Sequence, residues 1–395
     1  MDYDVIIVGA GPGGASAAFF LGQRGQRVLV LERARLPRYK PCGGGVPKVT
    51  FRRFPFSFDP VVEAEPAATE LHYPGQSPTK VSLDDRPIAM VRRSVFDAYI
   101  LTQAANAKVE VLDDVAVTGV TEHPDGVEVT VADGRTFFAR YLIGADGANS
   151  TVARALGLRK RRALGSTLEA MIEPDEATLA RWAQTSMFQY GACPGGYLWI
   201  FPKRGRLSVG IGRFWPGKAD RSAEPFGGAQ DRRSRQSLRG ILVREMANFG
   251  VDLTGVRLHG HPLPFYWRRE LLHTTRCLLV GDAAGLADPL MGEGIRFAVY
   301  SAEMAAQAIT RDDLAGYTRR VQRTIGNDHL WAKKVAWVLY GFPRLSWQWG
   351  IRNPRLIRAL VDVLRERRSY RTFAQMLPLY VLDSLVRYPF VRRHG

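Results

Sequence analysis

Residues 4–14 read DVIIVGAGPGG, a short apolar run that leads into a glycine-rich turn. Gly9, Gly11 and Gly14 have the spacing Gly-x-Gly-x-x-Gly, which is typical of the turn between a strand and a helix that binds a dinucleotide. Without side chains there, pyrophosphate can approach the backbone amides and the positive end of the helix. A second strand is predicted over residues 26–31, and the carboxylate of Glu32, which follows it, can accept hydrogen bonds from a ribose. The segment predicts a dinucleotide-binding β-α-β unit.

Two further segments contain side chains suited to such a cofactor. Arg93 precedes a predicted helix over residues 94–107 with Ser94 as its N-cap, where a guanidinium group can reach a phosphate or ribityl group. Asp146 lies in a tight turn after a predicted strand, with Ser150 as the cap of the next helix. Both positions are ends of regular elements, so we expect them near the cofactor.

A third segment lies much later in the chain. Residues 277–280 predict a buried strand that ends at Asp282, whose carboxylate can bind a polyol hydroxyl. Residues 289–294 read PLMGEG and lead into an Ala-rich helix predicted over residues 294–309. Backbone amides at a helix start stabilise negative charge, which reduced flavin carries near N1 and its C2 carbonyl. This segment therefore favours a flavin.

Composition limits the class of protein. A chain of 395 residues with 46% apolar and 24% charged residues is expected to form about two or three globular domains. Its three cysteines predict neither a disulfide framework nor a metal site, and they suit a reducing cytoplasm. No basic signal-peptide region precedes the first strand, and no run of about 18 apolar residues predicts a spanning helix.

Residues 331–395 have a composition of their own. They contain thirteen Lys and Arg against three Asp and Glu, so they contribute +10 of the chain's net charge of +17. They also contain four of the eight tryptophans. Basic residues mixed with aromatic residues suit an anionic membrane surface, so we expect attachment to the cytoplasmic face of the membrane. The alternatives are a solvated basic face and helices that close the substrate domain as a core cap. Nucleic acid is not expected as a partner, because none of its recognition modules occurs.

The three cofactor segments together resemble those of the flavoprotein hydroxylase-like superfamily, in which they hold FAD. The resemblance covers roughly residues 3–310 and implies that the first glycines and Glu32 face the ADP half of FAD. The residues predicted to bind FAD are Gly9, Gly11, Pro12, Gly13, Gly14, Glu32, Arg33, Cys42, Gly43, Gly44, Arg93, Asp146, Gly147, Asp282, Pro289, Gly292, Gly294 and Ile295.

A middle segment points to one family within that superfamily. Residues 194–202 read PGGYLWIFP and match the P-x-x-Y-x-W-x-F-P pattern of geranylgeranyl reductases at every fixed position. Lys203 and residues 209–212 (VGIG) follow as in that family, and residues 41–45 (PCGGG) resemble its C-G-G loop near the flavin. The resemblance implies FAD-dependent reduction of a C=C bond in a geranylgeranyl or polyprenyl chain of a lipid, quinone or chlorophyll-type substrate.

Strand alternation puts Tyr197, Trp199 and Phe201 on one face, which we interpret as a substrate-binding wall for the prenyl chain. The alternative is an ordinary aromatic core. An isolated alkene cannot accept charge on a carbonyl, so hydride from flavin N5 needs a coupled proton, and aromatic faces can stabilise cationic character. The predicted catalytic residues are Cys42, Tyr197 and Trp199, with Cys42 and Tyr197 as candidate acids. Cys42 is otherwise a packing residue of its loop.

Other features are predicted less specifically. Cys193 could also face the pocket, whereas Cys277 is expected to be structural. The sequence contains no second Gly-x-Gly-x-x-Gly that would mark a separate NADPH domain. The electron donor is therefore expected to be NADPH that approaches transiently, or a reduced carrier of the ferredoxin type. The competing functions are a flavin-dependent monooxygenase or halogenase acting on an aromatic or lipophilic substrate, and a peripheral membrane protein that holds FAD only structurally.

The predicted fold is α/β (α+β overall), with a Rossmann-like FAD-binding domain interleaved with a mostly antiparallel β-sheet substrate domain and followed by a C-terminal helical segment. Residues 217–239 are predicted to be a mobile surface insertion, and Trp182 is placed on a short helix. The predicted domains are residues 1–68, 94–164 and 270–330 for FAD, residues 69–93 and 165–269 for the substrate, and residues 331–395 for the C-terminal segment.

Overall fold

The computed structural model describes residues 3–105, 108–215 and 237–387. The strands found there are β1 (Tyr3–Val8), β2 (Val28–Leu31), β3 (Gly45–Pro47), β4 (Val62–Ala64), β5 (Ala68–His72), β6 (Thr79–Ser82), β7 (Ile88–Val91), β8 (Val109–Leu112), β9 (Val117–Glu122), β10 (Val127–Val131), β11 (Thr136–Gly144), β12 (Ala163–Ile172), β13 (Thr185–Tyr190), β14 (Gly196–Lys203), β15 (Arg206–Arg213), β16 (His259–Phe265) and β17 (Cys277–Leu279).

The α-helices found there are α1 (Pro12–Gly22), α2 (Arg93–Ala105), α3 (Thr151–Ala155), α4 (Glu176–Trp182), α5 (Leu238–Ala247), α6 (Ile295–Thr310), α7 (Tyr317–Val321), α8 (Asn327–Gly341), α9 (Pro343–Ser346), α10 (Pro354–Leu364) and α11 (Tyr370–Arg387).

The chain divides into two compact units, and each is made of three segments. Unit 1 contains Met1–Lys40, Arg92–Leu164 and Leu263–Leu330, and unit 2 contains Pro41–Val91, Gly165–Pro262 and Trp331–Gly395. The two units are interleaved in sequence, but several of their bounds differ from the predicted ones, and residues 263–269, predicted for the substrate domain, belong to unit 1. The first segment of unit 1 ends at Lys40 rather than at residue 68, because β3 and β4 both pair with β7. The C-terminal segment is not separate, because it packs within unit 2.

Unit 1 contains the Rossmann-like sheet. Its strand order is β8-β2-β1-β11-β10-β9, with β17 also paired to β11. The pairs around β1 are parallel, whereas β10 and β9 are antiparallel additions. Helix α1 is buried along its whole length and packs on α2 and α6, which its small residues permit. The predicted first and last cofactor strands are thus confirmed as β1 and β17 of one sheet.

One predicted helix start needs correction. Helix α2 begins at Arg93, so Ser94 lies in its first turn rather than at its N-cap, and the amide of Phe96 bonds the carbonyl oxygen of Arg92. Most of the predicted surface insertion, residues 217–236, lies outside the described residues. Its last residues are helical, because the Ser237 side chain caps α5 by accepting a hydrogen bond from the Gly240 amide.

Unit 2 contains the larger antiparallel sheet, ordered β16-β12-β15-β14-β13-β5-β6, with β13 and β5 parallel to each other. One face packs its aliphatic side chains, such as Leu198 and Ile200, against Trp182 of α4 and Leu242 of α5. A small sheet, β3-β7-β4, belongs to the same unit. The mostly antiparallel substrate domain and the short helix at Trp182 are as predicted.

The C-terminal helices complete unit 2. The ring of Trp347 lies 5.4 Å from that of Tyr73, and Arg365 pairs with Asp85 beside β6. Tyr370 and Phe373 are fully buried. Within the described ranges, no helix combines the length and the apolar character needed to cross a bilayer.

Candidate active site

The glycine turn between β1 and α1 leaves no space for side chains at Gly9 and Gly14. Gly9 has φ +98°, and a methyl group on it would lie 2.5 Å from the carbonyl oxygen of Ala145. A methyl group on Gly14 would lie 1.8 Å from the carbonyl oxygen of Gly9. Gly11 is the N-cap of α1 and supplies no side-chain acceptor to its first amides, and Pro12 follows. The start of α1 can therefore offer these amides to an anion.

Glu32 lies at the carboxyl end of β2, as predicted, and it is buried. Its carboxylate accepts hydrogen bonds from the amides of Ala10, at 2.8 Å, and Ala34, at 3.2 Å. It also pairs with Arg38 at 3.4 Å. Glu32 thus ties the glycine turn to the end of β2, and its contact with a ribose stays a prediction. Arg33 is exposed.

A pair of guanidinium groups lies over the glycine turn. Arg93 binds Asp97 through two hydrogen bonds of 2.8 Å, and Arg38 binds the same carboxylate at 3.2 Å. A methyl group on Gly11 would lie 3.6 Å from a terminal nitrogen of Arg93 and 3.7 Å from one of Arg38. Asp97 therefore orients two cations toward the position where pyrophosphate is expected. The sequence analysis missed Arg38, whereas Asp97 could have been found as the i+4 partner of Arg93.

Asp146 follows β11, and its oxygens are used locally. They accept hydrogen bonds from the Ser150 hydroxyl at 2.5 Å and from the amides of Thr151, at 2.6 Å, and Val152, at 3.1 Å. Ser150 caps α3, as predicted, because its hydroxyl accepts from the Ala153 amide at 2.9 Å. Asp146 is thus mainly a capping residue, and its contact with FAD stays a prediction together with that of Gly147.

The segment after β17 brings Asp282 close to the start of α6. A methyl group on Gly294, the N-cap of α6, would lie 3.4 Å from an Asp282 oxygen. Burial raises the pKa of Asp282, and the positive charges of Lys40, Arg93 and Arg159 act in the opposite direction. Asp282 and Gly294 therefore lie together, as expected for two residues along one cofactor.

The turn before α6 is shaped by Asp288, which sequence reasoning missed. This buried carboxylate accepts hydrogen bonds from the amides of Leu290, at 2.6 Å, and Met291, at 3.1 Å. Gly292 has φ +68° and donates its amide to the Asp288 carbonyl oxygen. Pro289 and Ile295, both predicted to bind FAD, are buried in this turn and in the first turn of α6. The Asp-Pro dipeptide was the available signal, since Asp often accepts amides two residues on.

In unit 2, the predicted C-G-G loop contacts the predicted aromatic strand. A methyl group on Gly43 would lie 2.9 Å from the Phe201 ring and 3.2 Å from Nε1 of Trp199. The Gly44 amide lies 3.3 Å from the half-buried Cys42 sulfur. Gly44 has φ +66°, and a methyl group there would lie 2.1 Å from the Val91 carbonyl oxygen. Glycine at position 43 thus lets the loop pack on β14, and glycine at position 44 lets it pass close to the backbone of β7.

The aromatic side chains of β14 lie on one face, as predicted. The ring centroids of Tyr197 and Trp199 are 6.3 Å apart, and those of Trp199 and Phe201 are 6.2 Å apart. Phe188 on β13, which the sequence analysis missed, makes edge contacts of 5.3 Å with Tyr197 and 5.2 Å with Phe201. Leu198 points to the aliphatic core instead. Substrate binding and catalysis by these rings stay predictions.

The glycines of β15 make room for these rings. Gly210 pairs with Trp199 in the sheet, and a methyl group on it would lie 2.2 Å from Cζ2 of the indole. Gly212 pairs with Tyr197, and a methyl group there would lie 2.3 Å from the Phe214 ring. Gly210 is therefore explained by the indole of Trp199 on the neighbouring strand, and Gly212 by the ring of Phe214, two residues further along the chain.

The other two cysteines lie in apolar surroundings. Cys193 belongs to the aliphatic core with Leu198, and its thiol contacts the Gly212 carbonyl oxygen at 3.7 Å. Burial raises the pKa of Cys193 to about 11 and that of Cys277 to about 12. The structural role predicted for Cys277 fits this, whereas Cys193 faces the core rather than the aromatic face.

The residues of unit 1 fit FAD. Two helices, α1 and α6, begin with glycine N-caps that supply no side-chain hydrogen bond, and two guanidinium groups lie over the first of them. The first site suits a pyrophosphate and the second suits a flat ring that carries negative charge. Over the described residues, no group of three or more His, Cys, Asp or Glu side chains could hold a metal ion.

Comparison with known proteins agrees with this site. Residues 2–311 match the family model of the FAD binding domain. The chain is 30% identical over 341 residues to the chloroplastic geranylgeranyl diphosphate reductase of Oryza sativa subsp. japonica. The matched region covers 81% of this chain and 69% of that protein. The chain is also 30% identical over 341 residues to the digeranylgeranylglycerophospholipid reductase of Methanocaldococcus jannaschii, covering 80% of this chain and 82% of that one.

The chain belongs to the geranylgeranyl reductase family of FAD-dependent oxidoreductases. A crystal structure of a geranylgeranyl bacteriochlorophyll reductase-like protein from Thermoplasma acidophilum has the same fold, with a TM-score of 0.73 and 22% identity over 98% of this chain and 96% of that one. FAD is therefore the cofactor of this family member, and the predicted fold class is confirmed.

Proposed function

We propose that this family member reduces C=C bonds in geranylgeranyl or related polyprenyl chains of a lipid, quinone or chlorophyll-type substrate. The observation that carries the proposal is the continuous aromatic face of β14, formed by Tyr197, Trp199 and Phe201 and extended by Phe188. Such a face suits a long apolar chain without hydrogen-bonding groups. Relatives of 30% identity that carry prenyl reductase names support the same substrate class.

The chemistry divides between cofactor and chain. FAD, when bound and reduced, supplies a hydride to one alkene carbon. The residues must deliver a proton to the other carbon ahead of the hydride or together with it, and they must stabilise the positive charge that then develops at the carbon that receives the hydride. The faces of Tyr197 and Trp199 can provide that stabilisation through their π electrons. The thiol of Cys42 and the hydroxyl of Tyr197 are the candidate proton donors.

The decisive experiment separates reduction from oxygenation. The bound flavin is reduced under anaerobic conditions, and geranylgeranyl diphosphate or a prenylated lipid is then added. A reductase reoxidises the flavin without oxygen and yields products heavier by one or more H2 in mass spectrometry. Reoxidation that requires oxygen and yields a product with an added oxygen atom would instead support the monooxygenase alternative. Flavin that no prenyl substrate reoxidises, and that gives no oxygenated product when oxygen is present, would support a structural role for FAD.

We also propose that the C-terminal helices bind an anionic lipid surface, from which a prenylated substrate is reached. Leu379, Leu382 and Val386 of α11 are spaced i, i+3 and i+7, and their exposed fractions are 63%, 59% and 75%. Trp337 and Phe342 are also exposed, and their rings are 5.6 Å apart. The excess of Lys and Arg over residues 331–395 favours anionic headgroups over a protein partner. Buried Trp347 serves packing instead.

Vesicle flotation tests this surface. Wild-type protein should float with vesicles of anionic lipid, and substitution of Leu379, Leu382 and Val386 by Ser should leave it in the aqueous fraction. Leu271→Ser is the matched control, because Leu271 is 54% exposed but lies in unit 1. Wild-type protein that stays aqueous with anionic vesicles would contradict the proposal.

For the electron donor, we infer NADPH or a reduced protein carrier of the ferredoxin type. A net charge of +17 is compatible with an acidic carrier, and it favours rapid association at low salt. The rate of anaerobic flavin reduction by NADPH and by reduced ferredoxin distinguishes the two. Neither donor reducing the flavin would contradict the inference.

A further inference from the structure

Lys203 ends the aromatic face of β14. By strand alternation it shares the face of Tyr197, Trp199 and Phe201, and its side chain is only 5% exposed. A buried ammonium group costs several kcal/mol unless it is paired and hydrogen-bonded. A lysine in this position therefore calls for a role that an apolar side chain of similar volume could not perform.

The partners of Lys203 are on the C-G-G loop. Its Nζ donates a hydrogen bond of 2.8 Å to the carbonyl oxygen of Gly43 and lies 3.2 Å from where a methyl group on Gly44 would be. The Gly44 amide in turn lies 3.3 Å from the Cys42 sulfur. The ammonium group thus holds the turn that carries the thiol.

Three groups interact electrostatically with Lys203: Cys42, Glu169 and Glu63. Glu169 on β12 is buried and is joined to Trp199 through Ser208, since the indole N–H bonds the Ser208 hydroxyl and that hydroxyl bonds Glu169, both at 3.3 Å. Burial lowers the pKa of Lys203 to about 8, against the attraction of all three groups. The charge of Lys203 is therefore coupled to that of groups on the C-G-G loop and on β12.

We propose that Lys203 is a positioning residue of this reductase, which holds the Cys42–Gly44 turn and stabilises the negative charge left on the Cys42 sulfur when its thiol gives up a proton. This inference rests on the proposed function. In the step concerned, the S–H bond breaks and its electron pair stays on sulfur. The proton forms a C–H bond at one alkene carbon, while the hydride supplied by the reduced cofactor forms the C–H bond at the other.

The test measures alkylation of Cys42 by iodoacetamide at neutral pH, quantified on its own peptide by mass spectrometry. Lys203→Met should slow alkylation severalfold, because the turn that carries the thiol loses its hydrogen bond to Nζ and the sulfur loses an opposite charge. Lys203→Arg keeps the charge and should restore most of the rate. Lys80→Met is the matched control, since Lys80 is a lysine of unit 2 that is 61% exposed.

The prenyl reduction rate is the second measurement. We expect kcat per bound FAD to fall in Lys203→Met by a factor similar to that of alkylation, with partial recovery in Lys203→Arg. Lys203→Met protein that is folded and alkylated at the wild-type rate would overturn the inference. The alkylation rate is measured without substrate and therefore tests the effect of Lys203 on Cys42 independently of prenyl reduction. A wild-type protein that reduces no prenyl chain would contradict the proposed function but not the alkylation result.

Discussion

The space above Gly210 provides a quantitative test of the aromatic face. In Gly210→Ala, the new methyl carbon would lie 2.2 Å from Cζ2 and 2.6 Å from Cε2 of Trp199, and 2.6 Å from the Leu168 carbonyl oxygen. Carbon atoms in contact are about 3.5–4.0 Å apart, so the indole would have to move by more than about 1 Å. The side chain of Trp199 is buried and its Nε1 bonds Ser208, so it cannot move freely.

Overpacking of this kind costs about 1–3 kcal/mol, so the free energy of unfolding in urea should fall by that amount. We expect kcat/KM for the prenyl substrate to fall about tenfold, the equivalent of about 1.4 kcal/mol. FAD content should stay unchanged, because none of the motif residues of unit 1 is altered.

Gly119→Ala is the matched control. Gly119 also lies in a strand, but a methyl group there would meet only the Thr130 side chain, at an ordinary 3.6 Å. This variant should unfold within about 1 kcal/mol of the wild type and retain its activity. Gly210→Ala protein with wild-type stability and wild-type kcat and KM would refute the reasoning, since the indole could not then occupy that space.

Three further predictions concern single residues. Gly14→Ala should abolish FAD binding, measured by the flavin absorbance of the purified protein, because the methyl group would lie 1.8 Å from the Gly9 carbonyl oxygen. Asp97→Asn should lower both FAD content and the free energy of unfolding, the latter by about 3 kcal/mol or more, because Arg93 and Arg38 lose the buried carboxylate that they share; unchanged flavin content and urea midpoint would contradict this. Lys203→Met should change the pH dependence of stability. The pKa of Lys203 is about 8 in the folded protein and 10.5 ordinarily, so the unfolded chain binds the proton more tightly. Wild-type stability should therefore rise by up to about 3 kcal/mol relative to the variant from about pH 8 to about pH 10.5 in urea titrations, whereas parallel curves would rule this out.

Much of unit 1 could be predicted because its signals are local. The turn from Gly9 to Gly14, the acidic residue at 32 and the cap at Ser150 each depend on residues close in sequence, whose spacing sets their geometry. The helix start at Arg93 was missed by one residue, which is the usual precision for helix ends. The domain boundary after Lys40 was missed because β3 is three residues long and is defined only by its pairing with β7.

The sequence by itself determined the cofactor class, the family and the alternation that puts Tyr197, Trp199 and Phe201 on one face. Those properties follow from backbone periodicity and from motifs in contiguous stretches. Only the tertiary structure decided that Cys193 packs in the aliphatic core and that Lys203 holds the Cys42–Gly44 turn. The physical reason is that these contacts join segments that are far apart in sequence. The partner of each side chain is selected by strand pairing and burial, and no local pattern encodes these.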